Sequence, residues 1–565
     1  MYYMDKYKLW LNSPIIDKET KDELRALGGN DREIEERFYK DLEFGTGGLR
    51  GIIGAGTNRM NRYTVGKAIQ GFANYIKKQG KEAMNKGVAI AFDSRRFSKE
   101  FAEGAALVLN ANGIQTYIYT ELQPTPVLSY TVRALNAIAG IIVTASHNPP
   151  EYNGLKIYWE DGAQVTDNRD VDIIAEVQSI DDFGHIKTMS LDEAKQKGLY
   201  NIVNDKVLDN YISKVISLSI NRDIIKKMGK DIKIVYTPLH GAGNKPVRRV
   251  LKELGFENVN VVPEQELPDP DFSTVTYPNP EEREALKLAI DHAQAIDADI
   301  VIGTDPDADR VGVVVRNTKD EYMMLTGNQV GELLVDYYLG ALKSKDKLPD
   351  NGIIIKTIVT SELGGEIAKH YGVEPVDTLT GFKFICSKMK EYEESGRGRF
   401  LFGYEESNGY LAGDFVRDKD GVITTMLICE MAAYYKSKGM TLYDALQAIW
   451  TRFGYYKDVL VPIVLEGIEG MEKIKSAMNE LRGNPPEEIA NVKVSFIEDY
   501  LHDESLKLPK SNVLKYRLDD GSWFAIRPSG TEPKLKVYFS THGDTKRVVD
   551  NRMEEIKAHV LDLLK

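Results

Sequence analysis

Short apolar runs and amphipathic helical patterns alternate along most of the chain. The five apolar residues 88–92 predict a buried strand. A helical pattern then runs from Ser98 to about Asn112, with Gly113 as its stop signal, and residues 115–119 predict the next strand. This order indicates an α/β fold in which helices cover a sheet.

The same alternation returns twice. The second round predicts strands at 232–236, 259–262 and 299–302 and helices at about 245–254 and 281–296. The third round predicts a helix after Gly327, a strand at 353–355, a helix after Ser361 and a long helix at about 422–436. Three successive units of similar size predict a threefold repeated layout, although their spacing is too irregular for a solenoid.

The pattern changes after about Phe453. Alternating stretches at 458–464 and 536–539 surround predicted helices near 467–482 and 545–564, which favours a smaller α+β domain. A length of 565 residues also favours several domains. We therefore expect four domains packed around a shared cleft, with bounds at 1–205, 206–322, 323–452 and 453–565.

Composition and charge exclude several classes of function. Lys and Arg number 73 against 85 Asp and Glu, and the net charge of -12 would repel a nucleic acid. No apolar run approaches the roughly 18 residues that a membrane span needs, and the N-terminus lacks a signal peptide, so we expect a cytoplasmic protein without membrane contact. Cys386 and Cys429 lie far apart without metal-binding spacing, which argues against zinc, disulfides and thiol redox chemistry.

The first of four polar loops follows the apolar run 139–143. Ser146 lies in the sequence Thr-Ala-Ser-His-Asn-Pro-Pro, where a buried strand breaks into a loop stiffened by proline, and its hydroxyl is a candidate nucleophile. The alternative is a serine that only caps the next turn. His147 is not expected to act as its base, because neighbouring side chains on extended backbone point to opposite sides.

The second loop follows the predicted strand 299–302. Asp305, Asp307 and Asp309 alternate with small residues, so their carboxylates can converge on one cation, and oxygen ligands of this kind suit magnesium. An EF-hand is excluded because Arg310 replaces the required glycine and Arg316 stands where the bidentate glutamate should be. A solvated turn is the alternative, but three carboxylates so close together repel one another without a cation.

The third loop combines groups that bind phosphate. Arg527 offers a guanidinium fork, Ser529 and Thr531 offer hydroxyls, and Gly530 lets backbone N–H groups approach an anion closely. The alternative is a plain hairpin turn. Such a turn would not need all these groups together with Lys534, so we predict a phosphate site.

The fourth loop carries Glu405 and Ser407, which together with Lys383 provide acceptors and a donor for sugar hydroxyls. Acidic residues that complement the dipole of a following helix are the alternative. This signal is weak by itself and depends on the other three loops.

At these residues the chain resembles the α-D-phosphohexomutase superfamily over nearly its whole length. The motifs stand in the family's order: Phe44-Gly45-Thr46-Gly47-Gly48-Leu49-Arg50, then Thr144-Ala145-Ser146-His147-Asn148-Pro149, Asp305-Pro306-Asp307-Ala308-Asp309-Arg310, Glu405-Glu406-Ser407 and Arg527-Pro528-Ser529-Gly530-Thr531. The resemblance implies three mixed α/β sheet domains and a C-terminal α+β domain of the TATA-box-binding-protein-like type, arranged as a heart around a central cleft.

Within the superfamily, the N-terminal stretch, the early glycine-rich motif and the sequence Gly303-Thr304-Asp305-Pro306-Asp307 look most similar to the bacterial α-phosphoglucomutase branch. That branch also contains phosphopentomutases. Dual phosphomannomutase/phosphoglucomutases usually carry Gly-Glu-Met-Ser-Gly-His, whereas here Asn408-Gly409 follows Ser407 and the histidine is absent. Mannose acceptance is therefore less expected.

The resemblance implies an enzyme that carries phosphate on Ser146. A Mg²⁺ ion would be held by Asp305, Asp307 and Asp309, with a phosphate oxygen on Ser146 as a further ligand. Glucose 1-phosphate would be converted to glucose 6-phosphate through glucose 1,6-bisphosphate, which is both intermediate and activator. The phosphate of the substrate would rest on Arg527, Ser529, Gly530 and Thr531.

The resemblance also suggests roles for residues near Ser146. Arg50 would steady the phosphoserine, and Arg310 could reach the transferring group. Lys156 follows Ser146 at the family's interval for a general base or acid, although a base requires that burial or positive charge lower its pKa. His147 is the fallback. The last domain is expected to close on the sugar and exclude water.

Two other classes of function would use some of the same residues. A haloacid-dehalogenase-type phosphatase would use Asp305 as nucleophile, but Asp309 stands where that motif has Thr or Val. A non-catalytic sugar-phosphate sensor would keep the Arg527 loop and could dispense with the nucleophile or the metal ligands, which are all present. We expect a small phosphosugar as partner, with a monomer or dimer left open and a phosphopentomutase or phosphomannomutase as the alternative within the fold.

Overall fold

The computed structural model describes residues 2–45, 48–166, 169–465, 467–529 and 534–564. The chain divides into two compact units, one formed by residues 1–325 with 407–441 and the other by residues 326–406 with 442–565. In the described part of the chain, no helix is long and apolar enough to cross a membrane.

The N-terminal part of the first unit is a six-stranded sheet with strand order β1-β5-β4-β2-β3-β6. Its elements are α1 (Tyr3–Asn12), α2 (Lys18–Ala26), α3 (Asp31–Phe38), β1 (Gly48–Ile52), α4 (Arg62–Lys78), α5 (Lys81–Lys86), β2 (Val88–Phe92), α6 (Ser98–Ala111), β3 (Thr116–Ile118), α7 (Thr125–Ala134), β4 (Ala139–Val143), β5 (Tyr152–Trp159), α8 (Arg169–Gln178), α9 (Leu191–Gln196) and β6 (Tyr200–Ile202). Strands β2 and β4 are parallel neighbours and buried along their whole length, which explains their unbroken apolar sequences.

A second sheet in this unit has the order β11-β10-β9-β7-β8. Its elements are α10 (Asp205–Ser217), α11 (Arg222–Met228), β7 (Ile234–Thr237), α12 (Asn244–Leu254), β8 (Val259–Val261), α13 (Pro263–Glu266), α14 (Lys287–Ile296), β9 (Ile300–Thr304), β10 (Val311–Arg316) and β11 (Tyr322–Met324). The predicted start of a helix at 281 is wrong. Residues 281–286 form tighter turns, in which Ala285 N–H donates to Glu282 O and Leu286 N–H to Arg283 O, three residues back.

The third group of elements contributes to both units. Its elements are α15 (Gly327–Ser344), β12 (Gly352–Thr357), α16 (Leu363–His370), β13 (Glu374–Thr378), α17 (Phe382–Ser395), β14 (Arg399–Glu405), β15 (Gly409–Ala412), α18 (Gly421–Lys436) and α19 (Leu442–Phe453). Strands β13, β12 and β14 pair in parallel in the second unit. Strand β15 and helix α18 belong to the first unit.

The C-terminal elements form an antiparallel sheet with the order β16-β21-β20-β19-β18-β17. They are β16 (Tyr455–Val464), α20 (Gly467–Gly483), β17 (Glu488–Ile489), β18 (Val492–Asp499), β19 (Leu514–Leu518), β20 (Trp523–Pro528), β21 (Lys534–Gly543) and α21 (Lys546–Leu563). One sheet face packs on the helices through a core that contains Phe524, Val537 and Met553.

The expected fold class is confirmed, because three mixed or parallel α/β sheets are followed by an antiparallel α+β region. Three of the four polar loops begin where a central strand ends: β4 stops at Val143, β9 at Thr304 and β14 at Glu405. In open α/β sheets, ligands bind at the carboxyl ends of the strands, which is where these three loops begin.

Candidate active site

The Ser146 loop leaves β4 with an unusual backbone conformation. Ser146 has φ of 51°, in the left-handed region that residues other than glycine rarely adopt. Its N–H donates to Thr144 Oγ1 at 2.8 Å, and its hydroxyl donates to Asp305 Oδ2 at 2.9 Å. The candidate nucleophile therefore contacts the candidate metal loop directly.

The expectation that His147 would point away from Ser146 is wrong. His147 Nδ1 lies 3.2 Å from Ser146 Oγ, because the backbone at Ser146 is left-handed and not extended. Burial, together with the positive charges of Arg310 and Arg50, lowers the pKa of His147 to about 2. The imidazole is therefore neutral at ordinary pH, and so low a pKa makes it a weak base.

The three aspartates after β9 form one buried cluster. Asp305, Asp307 and Asp309 offer carboxylate oxygens that lie within 4.8 Å of one another. The loop curls because Ala308 adopts φ of 50° and the N–H groups of Asp309 and Arg310 both donate to Asp305 Oδ1 at 3.0 Å. Among the described residues, buried Asp307 Oδ1 and Asp309 Oδ1 accept no hydrogen bond. Buried oxygens of this kind fit a hard divalent cation.

The three carboxyl groups differ in their electrostatic surroundings. Burial and the neighbouring charges of Asp307 and Asp309 raise the pKa of Asp305 well above its usual range. Burial alone would do the same for the other two, but Lys156 lowers the pKa of Asp307, and Lys419 and Lys156 lower that of Asp309. Two carboxylates of the cluster are thus ionised in a site of very low exposure.

Lys156 on β5 lies against this cluster. Its Nζ is 2.8 Å from Asp307 Oδ2 and 3.2 Å from Asp309 Oδ2. Burial lowers the pKa of Lys156, but the charges of Asp307 and Asp309 outweigh burial, and the net shift is upward. Lys156 is therefore positively charged here and placed to donate a proton, whereas a role as base requires a lower pKa.

The two arginines have different partners. Arg50 Nη1 donates to Asn148 Oδ1 at 3.1 Å, two residues beyond Ser146, whereas the guanidinium of Arg310 forms an ion pair with Glu281. A cavity of about 280 Å³ opens at the site. It is lined by Gly45, Gly48, Leu49, Arg50, Ser146, Leu155, Lys156, Gln164, Asp309, Arg310 and Lys419.

Two residues at this site were not found from the sequence. Lys419 Nζ lies 3.2 Å from Asp309 Oδ2, and Thr125 Oγ1 donates to Asp307 Oδ2 at 2.8 Å. The charged run 417–420 directly before the long apolar helix could have drawn attention to Lys419. Thr125 carries no local signal, because 182 residues separate it from Asp307.

The sugar residues and the phosphate residues lie mainly in the second unit. Glu405 is buried at the end of β14, and Lys383 lies in the first turn of α17 with Nζ 5.2 Å from the Phe384 ring. Ser407 belongs to the first unit. Beside Glu405, Glu406 Oε2 accepts hydrogen bonds of 3.2 Å from the hydroxyls of Thr357 and Thr360.

The phosphate loop follows β20. Arg527 lies on β20 opposite Lys536 of the neighbouring strand β21, and Ser529 N–H donates to Lys534 O at 2.7 Å. Gly530 and Thr531 lie outside the described residues. The structure thus brings together Arg50, Ser146, His147, Lys156 and the aspartates within the first unit, and Arg527 and Ser529 within the second.

Four family domains, all named phosphoglucomutase/phosphomannomutase, match in order: alpha/beta/alpha domain I over residues 41–183, domain II over 209–319, domain III over 326–453 and the C-terminal domain over 474–558. The chain belongs to the phosphoglucomutase/phosphomannomutase family. The resemblance drawn from its motifs is confirmed.

Individual members of the phosphoglucomutase/phosphomannomutase family are similar to this chain over most of its length. The chain is 40% identical over 523 residues to a phosphoglucomutase of Staphylococcus haemolyticus, covering 90% of this chain and 92% of that protein. It is 39% identical to a phosphoglucomutase of Staphylococcus aureus strain MRSA252, with coverage of 90% and 91%. The open form of a Paramecium phosphoglucomutase, parafusin, matches with a TM-score of 0.70 at 19% identity over 91% of this chain and 94% of that one, which supports the fold.

Proposed function

We propose that this protein is a phosphoglucomutase that interconverts α-D-glucose 1-phosphate and glucose 6-phosphate through a phosphate group on Ser146. The observation that carries the proposal is the 2.9 Å hydrogen bond from Ser146 Oγ to Asp305, one of three clustered aspartates. The phosphoglucomutases of staphylococci, at 37–40% identity over most of the chain, support the choice of reaction.

The reaction needs two phosphoryl transfers. In the first, the bond from phosphorus to Ser146 Oγ breaks while a bond to O6 of glucose 1-phosphate forms, which gives glucose 1,6-bisphosphate. The intermediate then reorients within the cleft. In the second transfer the bond from phosphorus to O1 breaks while a bond to Ser146 Oγ forms, and glucose 6-phosphate leaves. Glucose 1,6-bisphosphate would also act as activator, because it can restore phosphate to Ser146 after accidental loss.

The side chains around Ser146 have complementary roles in this scheme. His147 Nδ1 lies 3.2 Å from Ser146 Oγ and would be the fallback proton acceptor there, although its low pKa makes it a weak base. Lys156, held as a cation by Asp307, can donate a proton to the oxygen that leaves. Arg50 on β1, which contacts the Ser146 loop through Asn148, would supply positive charge to the phosphate, and Arg310 would do so if released from Glu281.

The aspartate cluster is assigned to Mg²⁺, which Asp305, Asp307 and Asp309 would hold, with the phosphate on Ser146 as a further ligand. A bound divalent cation neutralises negative charge on a transferring phosphate. The contact between Asp305 and Ser146 Oγ places these three carboxyl groups beside the hydroxyl that would carry the phosphate.

The remaining assignments concern the substrate. Arg527, Ser529, Gly530 and Thr531 would bind its phosphate, while Lys383, Glu405 and Ser407 would bind its hydroxyl groups. We assign these loops to four domains with bounds at 1–205, 206–322, 323–452 and 453–565. The partner is a small phosphosugar, and the protein would act as a monomer or a dimer.

The proposal is tested with purified protein and four substrates: the 1-phosphates of glucose, mannose, glucosamine and ribose. We expect the highest kcat/KM for glucose 1-phosphate. We also expect intact-mass analysis to find one phosphate on the wild-type protein. An enzyme that hydrolyses phosphosugars without forming the 6-phosphate, or that traps phosphate on an aspartate, would contradict it.

A further inference from the structure

The left-handed backbone conformation of Ser146 must be stabilised by surrounding contacts. A positive φ at a residue with a side chain is unfavourable and persists only where surrounding contacts impose it. Three bonds hold the loop internally, from Ser146 N–H to Thr144 Oγ1, from Asn148 N–H to Ala145 O and from Tyr152 N–H to Pro149 O. None of these three bonds fixes the loop relative to the rest of the sheet.

A single arginine binds the carbonyl groups of this loop. The Nη2 group of Arg95 donates to the carbonyl oxygens of both Ser146 and Asn148, and its Nη1 group donates to those of Pro149 at 2.8 Å and Tyr152 at 3.1 Å. The side chain of Arg95 is completely buried. Four acceptors spread over seven residues of chain are thus joined by one rigid group.

Arg95 is itself fixed from two sides. Asp93 Oδ2 lies 3.4 Å from Arg95 Nε, while Asp93 Oδ1 accepts from the N–H of Arg95 at 3.0 Å and from the hydroxyl of Ser98 at 2.7 Å. On the other side, the ring of Phe272 lies 4.9 Å from the guanidinium carbon, a cation–π contact. Phe272 belongs to the segment after β8, so the contact joins the two sheets of the first unit.

We propose that Arg95 is a positioning residue: it holds the Ser146 loop in its left-handed conformation and at its distance from Asp305. This inference rests on the proposed function, because it takes Ser146 as the phosphate carrier. Arg95 has no contact with the reacting hydroxyl and acts through the loop backbone. Lysine cannot replace it, because a single ammonium group cannot reach four carbonyl oxygens that the planar fork of a guanidinium spans.

The neighbouring arginine provides a matched control. Arg96 follows directly in the chain, and its guanidinium forms an ion pair with Asp271 at the surface. Replacing Arg96 by methionine removes one arginine and one contact to the same segment as Phe272, without touching the carbonyl groups of the Ser146 loop. Arg96→Met should therefore keep wild-type turnover.

The experiment compares Arg95→Met, Arg95→Lys and Arg96→Met with the wild type. For each, the thermal unfolding midpoint, the kcat and KM for glucose 1-phosphate, and the single-turnover rate at which glucose 1,6-bisphosphate phosphorylates the dephosphorylated enzyme are measured. Arg95→Met should lower kcat and the phosphorylation rate by about 100-fold or more and Arg95→Lys by about 10-fold, with KM within threefold of the wild type.

The outcomes separate this inference from the proposed function. A wild type without mutase turnover and without phosphate on Ser146 overturns both. An active wild type with Arg95 variants whose phosphorylation rate falls only in proportion to their unfolded fraction overturns the positioning role alone. If Arg95→Met does not fold, Arg95→Lys decides, and a folded lysine variant with wild-type rates overturns the inference.

A double-mutant cycle supplies an independent check. Phe272→Leu removes the ring behind Arg95 but leaves all four carbonyl contacts. If Arg95 acts through its fixed placement, Phe272→Leu should slow phosphorylation in the wild type and have no further effect in Arg95→Met. Fully additive effects would overturn the coupling between Phe272 and the Ser146 loop.

Discussion

Ser146 and Asp305 are 159 residues apart in the chain, yet their side chains form a direct hydrogen bond of 2.9 Å. Each residue follows the end of a buried strand, β4 or β9, and each belongs to a different sheet of the first unit. This contact puts a hydroxyl group at the edge of a three-carboxylate cluster.

Replacing Ser146 by alanine should remove phosphoryl transfer, because no oxygen remains to carry the phosphate. We expect turnover to fall by at least about 1,000-fold. The fold should be retained, since the loss of one hydroxyl leaves the carbonyl contacts of the loop in place. Intact-mass analysis should find one phosphate on the wild type and none on the variant, and an alanine variant with full activity would refute the assignment.

Replacing Asp307 by asparagine should weaken metal binding, because it removes one charged oxygen ligand from the cluster. It also weakens the contact to Lys156 at 2.8 Å. Chelation should stop turnover of the wild type and added Mg²⁺ should restore it, whereas Asp307→Asn should need far more Mg²⁺. Asp291→Asn, an exposed aspartate on α14 paired with Lys287, is the control. Wild-type Mg²⁺ dependence in Asp307→Asn would show that the cluster is misassigned.

Replacing Arg527 by alanine should weaken the binding of every phosphosugar alike. A charge-assisted contact of about 1.5–3 kcal/mol corresponds to roughly 10- to 150-fold in KM or kcat/KM. Arg547→Ala, at an exposed position of α21, is the matched control. The placement fails if Arg527→Ala leaves both KM and kcat/KM unchanged, or if only one sugar is affected.

Replacing Ser407 by alanine should narrow the preference for glucose over ribose. A site that hydrogen-bonds a hydroxyl rejects substrates that leave its polar groups unpaired, and Glu405 with Ser407 is the pair assigned to the hexose hydroxyls. The measurement is the ratio of kcat/KM for glucose 1-phosphate and ribose 1-phosphate in wild type and variant. A wild type that prefers ribose 1-phosphate tenfold or more would overturn the choice of sugar but not the role of Ser146.

Asp458 on β16 should make stability depend on pH. Burial, partly offset by hydrogen bonds from Ser540 and Ser361, raises its pKa from 3.8 to about 6. Between these values the folded protein keeps a proton that the unfolded chain has released, so this contribution to stability falls as the pH rises from about 4 to 6. Asp458→Asn should abolish it and unfold at a higher temperature than the wild type above pH 6.

Asp550 provides a control, because its pKa is shifted in the opposite direction from that of Asp458. Hydrogen bonds from Lys457 and Lys546 lower the pKa of Asp550, so Asp550 stabilises the fold at neutral pH and loses that effect in acid. Asp550→Asn should therefore lower the unfolding temperature at pH 7. If the unfolding temperatures of Asp458→Asn and wild type stay parallel between pH 4 and 7, the shift assigned to Asp458 is wrong.

Much of the architecture was predictable because local periodicity encodes it. The apolar run that became β2 and the helical pattern that became α6 lie within one residue of their predicted bounds. The start of α14 was misplaced because the turns at 281–286 share the composition of a helix and differ only in hydrogen-bond spacing. Periodicity carries no information about which carbonyl an N–H group reaches.

The sequence by itself determined the identity of the chemical groups and their order: a serine after one buried strand, three alternating aspartates after another, and an arginine–hydroxyl loop near the C-terminus. Only the tertiary structure decided their relations. It turned His147 toward Ser146, gave Lys156 two carboxylates that raise its pKa, and placed Thr125, Lys419 and Arg95 at the site. These contacts join residues from separate strands and helices, and a left-handed backbone or a long-range pairing depends on how those elements pack, which no local pattern specifies.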